Sequence, residues 1–150
     1  MLTVFNDIGF RPAVKGDTKS IVSLLQSAAL PFEDLAGTTK VRFIVAARGT
    51  QLIGCIAVEM AGCCALLRSF AVLETERSAG IGGRLLEMAE RLCRRRGVVA
   101  TYLLTLTAER FFAGRGYTRA TRDDAPPDIK STAEFAAICP ASSTLMVKRL

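Results

Sequence analysis

The stretch Arg77-Ser78-Ala79-Gly80-Ile81-Gly82-Gly83-Arg84 has the residue types and spacing to hold a phosphate. It follows an apolar run over 66–73 and opens a helical pattern over 81–96. A glycine-rich turn that begins a helix leaves several backbone N–H groups without partners, all aimed one way, and the helix dipole adds partial positive charge there. A side chain at Gly82 would obstruct close approach of the backbone to a phosphate, or demand an unusual φ. The spacing narrows the ligand. A dinucleotide fingerprint needs a third glycine where Leu85 stands, and a Walker loop needs a Gly-Lys-Ser/Thr that is absent. What remains is Arg-x-x-Gly-x-Gly between a strand and a helix. It is either a phosphate cradle or a plain turn.

A second chemical residue is Arg68, which interrupts an apolar strand. Simple alternation puts Leu66, Phe70 and Val72 on its face. A charge there needs a partner. That partner is an anionic group of a ligand, such as a carboxylate, or an acid of the sheet edge such as Glu59. Cys63-Cys64 could bridge a soft thiophilic ion, or pack as small hydrophobes at a hairpin turn. The absence of histidine removes His-based triads and most zinc sites.

The elements that must position these residues are legible in outline. A short extended entry at Arg11-Pro12-Ala13 precedes a helix capped by Asp17, with Ile21, Val22, Leu24 and Leu25 on its apolar face and Pro31 as its stop. Residues 31–37 read as a loop or a short second helix. Strands follow over 41–48, 51–60 and 65–72, the first two joined as a hairpin through Gly49-Thr50. The helix after the glycine loop turns Ile81, Leu85, Met88, Ala89 and Leu92 inward. Glu87 with Arg91 and Glu90 with Arg94 read as i,i+4 pairs on its outer side, and Gly97 ends it. A buried strand over 98–105, a short helix over 108–113, a strand after Gly116-Tyr117, a surface loop over 123–130, a short helix over 132–138 and a last strand over 144–148 complete the chain. This order predicts one α/β (α+β) domain over 1–150, with a mixed sheet and helices on both faces.

Bulk composition sets limits. The 150 residues are half apolar, enough for one globular core. No apolar run reaches bilayer length, and residues 1–10 lack a secretory pattern. Five cysteines without ligand-type spacing fit a reducing cytosol, so a cytoplasmic location is expected. The net charge of +6 suits a polyanionic ligand. The run Arg94-Arg95-Arg96 reads as a solvated helix end rather than a nucleic-acid patch, and neither a nucleic acid nor a membrane is expected as partner.

The loop, its flanking elements and the segment Phe111-Phe112-Ala113-Gly114-Arg115-Gly116-Tyr117 resemble the GCN5-related N-acetyltransferases across nearly the whole chain. The last segment is similar to that family's aromatic-rich final motif. The stretches Ala65 to Val72, Tyr102 to Phe112 and Glu134 to Ser142 look like the acetyltransferases encoded beside arsenic-resistance genes.

The resemblance implies a fold and a set of roles. Acetyl-CoA is the implied co-substrate. Ala71, Val72 and Leu73 would meet its pantetheine arm through backbone atoms. Arg77, Ser78, Ala79, Gly80, Ile81, Gly82, Gly83 and Arg84 would surround the pyrophosphate, and Phe112 would lie beside the cofactor. The implied acceptor is the amine of a small molecule, in the narrower reading an amino-acid-like one, met by Arg68 and Glu33. Homodimers are frequent in the family. At the position where many members carry a tyrosine that protonates the leaving sulfur, this chain has Phe112. Thr105 and Thr107 are the nearby hydroxyls. Glu59, then Glu33 and Asp34, are the remaining carboxylates for a general base, against the commoner reading of each as a solvated surface acid. Two rival functions stay open: a non-catalytic acyl-CoA-binding or sensor domain, and a protein N-acetyltransferase.

Overall fold

The structure, a computed structural model, describes residues 7–33 and 41–150. Asp34 and the rest of the expected loop over 34–37 lie outside the described residues.

The elements are β1 (Ile8–Pro12), α1 (Thr18–Ser27), β2 (Val41–Arg48), β3 (Gln51–Ala61), β4 (Cys64–Val72), α2 (Ile81–Arg95), β5 (Ala100–Thr105), α3 (Glu109–Ala113), β6 (Thr118–Arg119), α4 (Pro127–Lys130) and β7 (Thr144–Arg149). The strands form one mixed sheet in the order β1-β2-β3-β4-β5-β7-β6, in which only β4 and β5 run parallel. The expected fold class is the observed one. α2 buries Ile81, Leu85, Leu86, Ala89 and Cys93 against one face, with Ile44, Val58, Ala65 and Leu67 beneath. On the other face α1 sets Ile21, Leu24 and Leu25 on Val45 and Cys55, while α4 sets Ile129 on Leu66 and Tyr102.

Both long helices stop by the same backbone device. α2 ends at Gly97, whose φ of +76° is left-handed, with Val98 N–H bonded to Cys93 O at 3.0 Å. α1 ends the same way, with Leu30 N–H on Leu25 O at 2.9 Å, but the left-handed residue is Ala29. Ala29, not Pro31, therefore ends the first helix. Asp17 does not cap it by a side-chain bond. Its carboxylate instead accepts from Val14 N–H and from Arg11, which holds it down to about 2.

Other expectations change with tertiary context. Glu90 is buried, not paired outward with Arg94. Lys148 Nζ lies 3.0 Å from its Oε1, and Tyr117 donates to its Oε2 at 2.9 Å. Glu87 meets Arg84 at 3.4 Å rather than Arg91. Leu86 and Cys93 are core residues, whereas Met88 and Leu92 are only half-buried. β5 starts at Ala100: Val98 closes the α2 cap, and Val99, its side chain exposed, is bonded through its backbone to Cys63 O and Leu150 N–H. The expected surface loop over 123–130 contains α4 and buries Ile129. The expected helix over 132–138 is a single π-helical turn, Glu134–Ile138.

One irregularity governs the site. Ser69 has φ +52°, and the β3–β4 register slips there, so that Cys55 opposes Ala71 while Ala57 opposes Arg68. This bulge reverses the alternation. Leu66 belongs to the α4 face, but Phe70 and Val72 pack toward α2. Arg68 therefore shares a face with Leu66 and not with Phe70 or Val72. The bulge lies just past the point where β4 and β5 stop pairing, at Leu67 and Leu103.

Candidate active site

The glycine loop is shaped as the sequence implies. Gly80 has φ +83° and directly precedes α2, whose first backbone bond runs from Arg84 N–H to Gly80 O at 3.1 Å. The N–H groups of Ile81, Gly82 and Gly83 come before that ladder, and no side chain caps this end among the described residues. Three unsatisfied donors on the positive end of a fifteen-residue helix make an anion site. Gly82 does not need an unusual φ, since the left-handed position is Gly80. What Gly82 needs is space. A Cβ there would stand 3.3 Å from Phe70 Cζ and 3.5 Å from Phe111 Cζ.

From this loop a groove of about 680 Å³ runs along the open edge of β4 toward α3. Ala71, Val72, Arg77, Ser78, Gly80, Ile81, Gly82 and Gly83 of the expected set line it. Leu73 and Ala79 do not. The Leu73 N–H is turned the other way, to Ile53 O at 2.8 Å. By the strand's alternation Val72 then faces the open edge, where Arg77 Nε already donates to its carbonyl at 3.1 Å. Arg84 lines a neighbouring depression with Arg115 and Lys148.

A second, smaller cavity of about 170 Å³ lies beyond the point where β4 and β5 part. Leu30, Phe70, Thr107 and Ala108 line both this cavity and the groove, so the two spaces share a wall where the strands diverge. The charged residues that line the small cavity are Arg68 and Glu134. Arg68, its side chain fully buried, reaches Glu59 through Nη1 at 2.9 Å, and its Nε lies 3.5 Å from Glu134. Cys139 completes that wall. Burial, then the charge of Glu134, pushes its thiol up to about 11, so it stays protonated at neutral pH.

The remaining sequence candidates separate. Glu59 is committed to Arg68 and does not line either space. Glu33 is exposed, and its carboxylate accepts from Phe32 N–H at 3.1 Å. Thr105 Oγ1 accepts from Ala108 N–H at 3.0 Å, the local bond that starts α3. Thr107 is exposed at the shared wall. Phe112 faces the small cavity, packed against Phe70, Phe111 and Tyr117 with ring centroids 5.1–5.8 Å away, and Phe111 is the aromatic on the groove side. Phe112→Tyr adds a hydroxyl toward that cavity without removing ring contacts. The variant is expected to fold and to turn over at least as fast as the parent. Steady-state kinetics with a melting curve checks this, and a folded but inactive variant would sink it.

Four residues of the site escaped the sequence reading. Phe70 reaches the groove only because of the bulge. Phe111 and Arg115 act as a unit, the guanidinium 3.8 Å from the ring centroid and beside Gly83. Glu134 lies more than sixty residues along the chain from its ion partner, and no local spacing marks such a pair.

The geometry can place an anionic, extended thioester donor in the groove and a small nucleophile in the second cavity, with the reacting atoms at the shared wall. The acetyltransferase (GNAT) domain family matches residues 39–119, which include the loop, the bulge and α3. An uncharacterised N-acetyltransferase of Chlorobaculum tepidum, CT2212, is 39% identical over 88 residues, 58% of this chain and 56% of that protein. The chain thus spans little more than half the length of that curated relative. Among solved structures, N-acetylglutamate synthase from Neisseria gonorrhoeae, complexed with coenzyme A and N-acetyl-glutamate, superposes with TM-score 0.79 at 22% identity, over 95% of this chain and 35% of that one. A Mycobacterium tuberculosis protein, Rv2747, in complex with CoA and NLQ, does so with TM-score 0.80 at 20% identity, over 95% and 99%. The unpaired amides at α2, the parted strands β4 and β5 and the matched residues agree: the chain belongs to the GNAT acetyltransferase family.

Proposed function

We propose that the protein transfers the acetyl group of acetyl-CoA to the amine of a small molecule. The observation that carries this reading is the meeting of two spaces at the divergence of β4 and β5, one ending on the unpaired amides of α2. The N–H groups of Ile81, Gly82 and Gly83 bind the pyrophosphate, the edge of β4 at Val72 orients the pantetheine arm, and the cavity beside Arg68 receives the amine. The cavity's 170 Å³ equals the liquid volume of about six waters, which favours a small acceptor over a folded protein chain. An amino-acid-like acceptor is the narrower form of the reading, supported by Arg68 in that wall. Some features rest on resemblance alone, namely a link to arsenic resistance and a homodimer. The thiols of Cys63 and Cys64, 4.0 Å apart, lie outside both spaces. Unpaired cysteines among the described residues support a cytoplasmic location.

The test has two arms. Acetyl-CoA at a hundredfold excess over its Kd stabilises the native state by about 2.7 kcal/mol, which raises Tm by roughly 5–10 °C. No shift with acetyl-CoA or CoA would remove the coenzyme assignment. A CoA-release assay against small amines, amino-acid analogues and peptides then identifies the acceptor. Binding without release on any of them would favour a non-catalytic acyl-CoA sensor, the second reading that Phe112 in place of a phenol supports.

A further inference from the structure

Arg115 stands where a cation is disfavoured. Its guanidinium lies against the first turn of α2, where a Cβ placed on Gly83 would meet Nη2 at 3.3 Å and Nε at 3.5 Å. That end of the helix carries the positive end of the dipole and the unpaired N–H groups of Ile81, Gly82 and Gly83. A fixed positive charge beside it works against the fold. The residue is exposed, and among the described residues it has no acid partner. An arginine so placed would turn away into solvent unless something held it. Two contacts to one residue do so. Cζ sits 3.8 Å from the centroid of the Phe111 ring, and Nη1 donates to Phe111 O at 3.1 Å. The stack leaves Nε and Nη2 on the side of the helix start. Gly83 has no left-handed φ, so what its missing side chain provides is room for the guanidinium. Gly80, Gly83 and Arg115 line both the groove and the depression of about 460 Å³ beside it. The other cations of that depression are paired, Arg84 with Glu87 at 3.4 Å and Lys148 with Glu90 at 3.0 Å.

Resting on the reading of the groove as the coenzyme site, we propose that Arg115 is a side-chain ligand of the coenzyme's diphosphate and that Phe111 is its positioning residue. A diphosphate is multiply charged. The dipole of α2 is equivalent to roughly half a charge at its N-terminus, whereas a guanidinium supplies a full charge and further N–H donors. With the anion between them, the helix start and Arg115 no longer oppose each other, and each strengthens the other's hold on it. Phe111 keeps the guanidinium aimed before the coenzyme arrives, so less side-chain freedom is lost on binding.

The experiment titrates CoA, 3′-dephospho-CoA and pantetheine calorimetrically into the parent, Arg115→Ala, Arg115→Lys, Phe111→Leu and the Arg115→Ala/Phe111→Leu double variant, with a thermal melt of each ligand-free protein. Arg115→Ala should weaken CoA and 3′-dephospho-CoA alike, by roughly 10–100-fold, and leave pantetheine, which has no phosphate, at the parent affinity. Arg115→Lys should recover part of the loss. Ligand-free Arg115→Ala should melt no lower than the parent, because a cation has left the positive end of α2. Phe111→Leu should weaken CoA in the parent but change nothing in the Arg115→Ala background. A loss for CoA without one for 3′-dephospho-CoA would put Arg115 at the 3′-phosphate and overturn the proposal, as would parent-like affinity for both. Equal losses for all three ligands with a lower melting temperature would overturn it too, leaving Arg115 a structural residue. A Phe111→Leu effect of the same size in both backgrounds would remove the positioning role. A parent protein that binds none of the three overturns the coenzyme reading itself, whereas binding that the variants leave unchanged overturns the role of Arg115 alone.

Discussion

Gly82→Val is expected to abolish acetyl-CoA binding in a chain that still folds. The N–H groups of Ile81, Gly82 and Gly83 face the groove with no intrahelical partner. A hydrogen bond to a charged oxygen is worth about 1.5–3 kcal/mol, so losing two of them weakens binding by roughly a hundredfold to many thousandfold. The valine would reach Phe70 and Phe111, whose rings stand 3.3 and 3.5 Å from the new Cβ alone, and would fill the mouth of the groove. Overpacking there costs about 1–3 kcal/mol, because both rings are only half-buried and can yield toward the open space. Calorimetric titration with acetyl-CoA, beside a thermal melt of the free protein, separates binding from folding. Parent-like affinity in the folded variant would mean that the phosphates are held elsewhere.

Arg68→Ala is expected to unfold the protein early. It strips the guanidinium from between Glu59 and Glu134, whose side chains are themselves only 14% and 6% exposed. Two largely buried carboxylates then lose the guanidinium that stood between them. Breaking a buried pair in this way costs about 3–5 kcal/mol, and Tm should fall by roughly 6–20 °C. Denaturant titration should show a lower midpoint at unchanged slope. The kinetic signature is separate. If Arg68 also grips an acceptor carboxylate, the acceptor KM rises well above the change in the acetyl-CoA KM, and Arg68→Lys restores it only in part, since lysine lacks the two-pronged donor set. A melting temperature equal to the parent's would show that the ion pairs contribute nothing to the fold.

What the sequence determined by itself was whatever depends on short-range spacing. Arg-x-x-Gly-x-Gly between a strand and a helix placed the anion site, because a helix start exposes its amides whatever surrounds it. Gly97 marked the end of α2, since a left-handed residue is needed there and glycine takes it without strain. Alternation and turn residues placed β2 and β3 correctly to within one residue. The tertiary structure decided what depends on meetings between distant segments. Glu90 reads as an outward pair with Arg94 on a helical wheel, but Lys148 and Tyr117 arrive from the end of the sheet and bury it. Alternation puts Arg68 with Phe70, but the bulge at Ser69 leaves Arg68 on the face of Leu66, at the small cavity, and turns Phe70 to the other face. No local spacing marks Glu134 as a partner of Arg68. Its position follows from a π-turn packed against a strand far away in the chain, and a carboxylate's chemistry is set by the charges and burial around it, which only packing supplies.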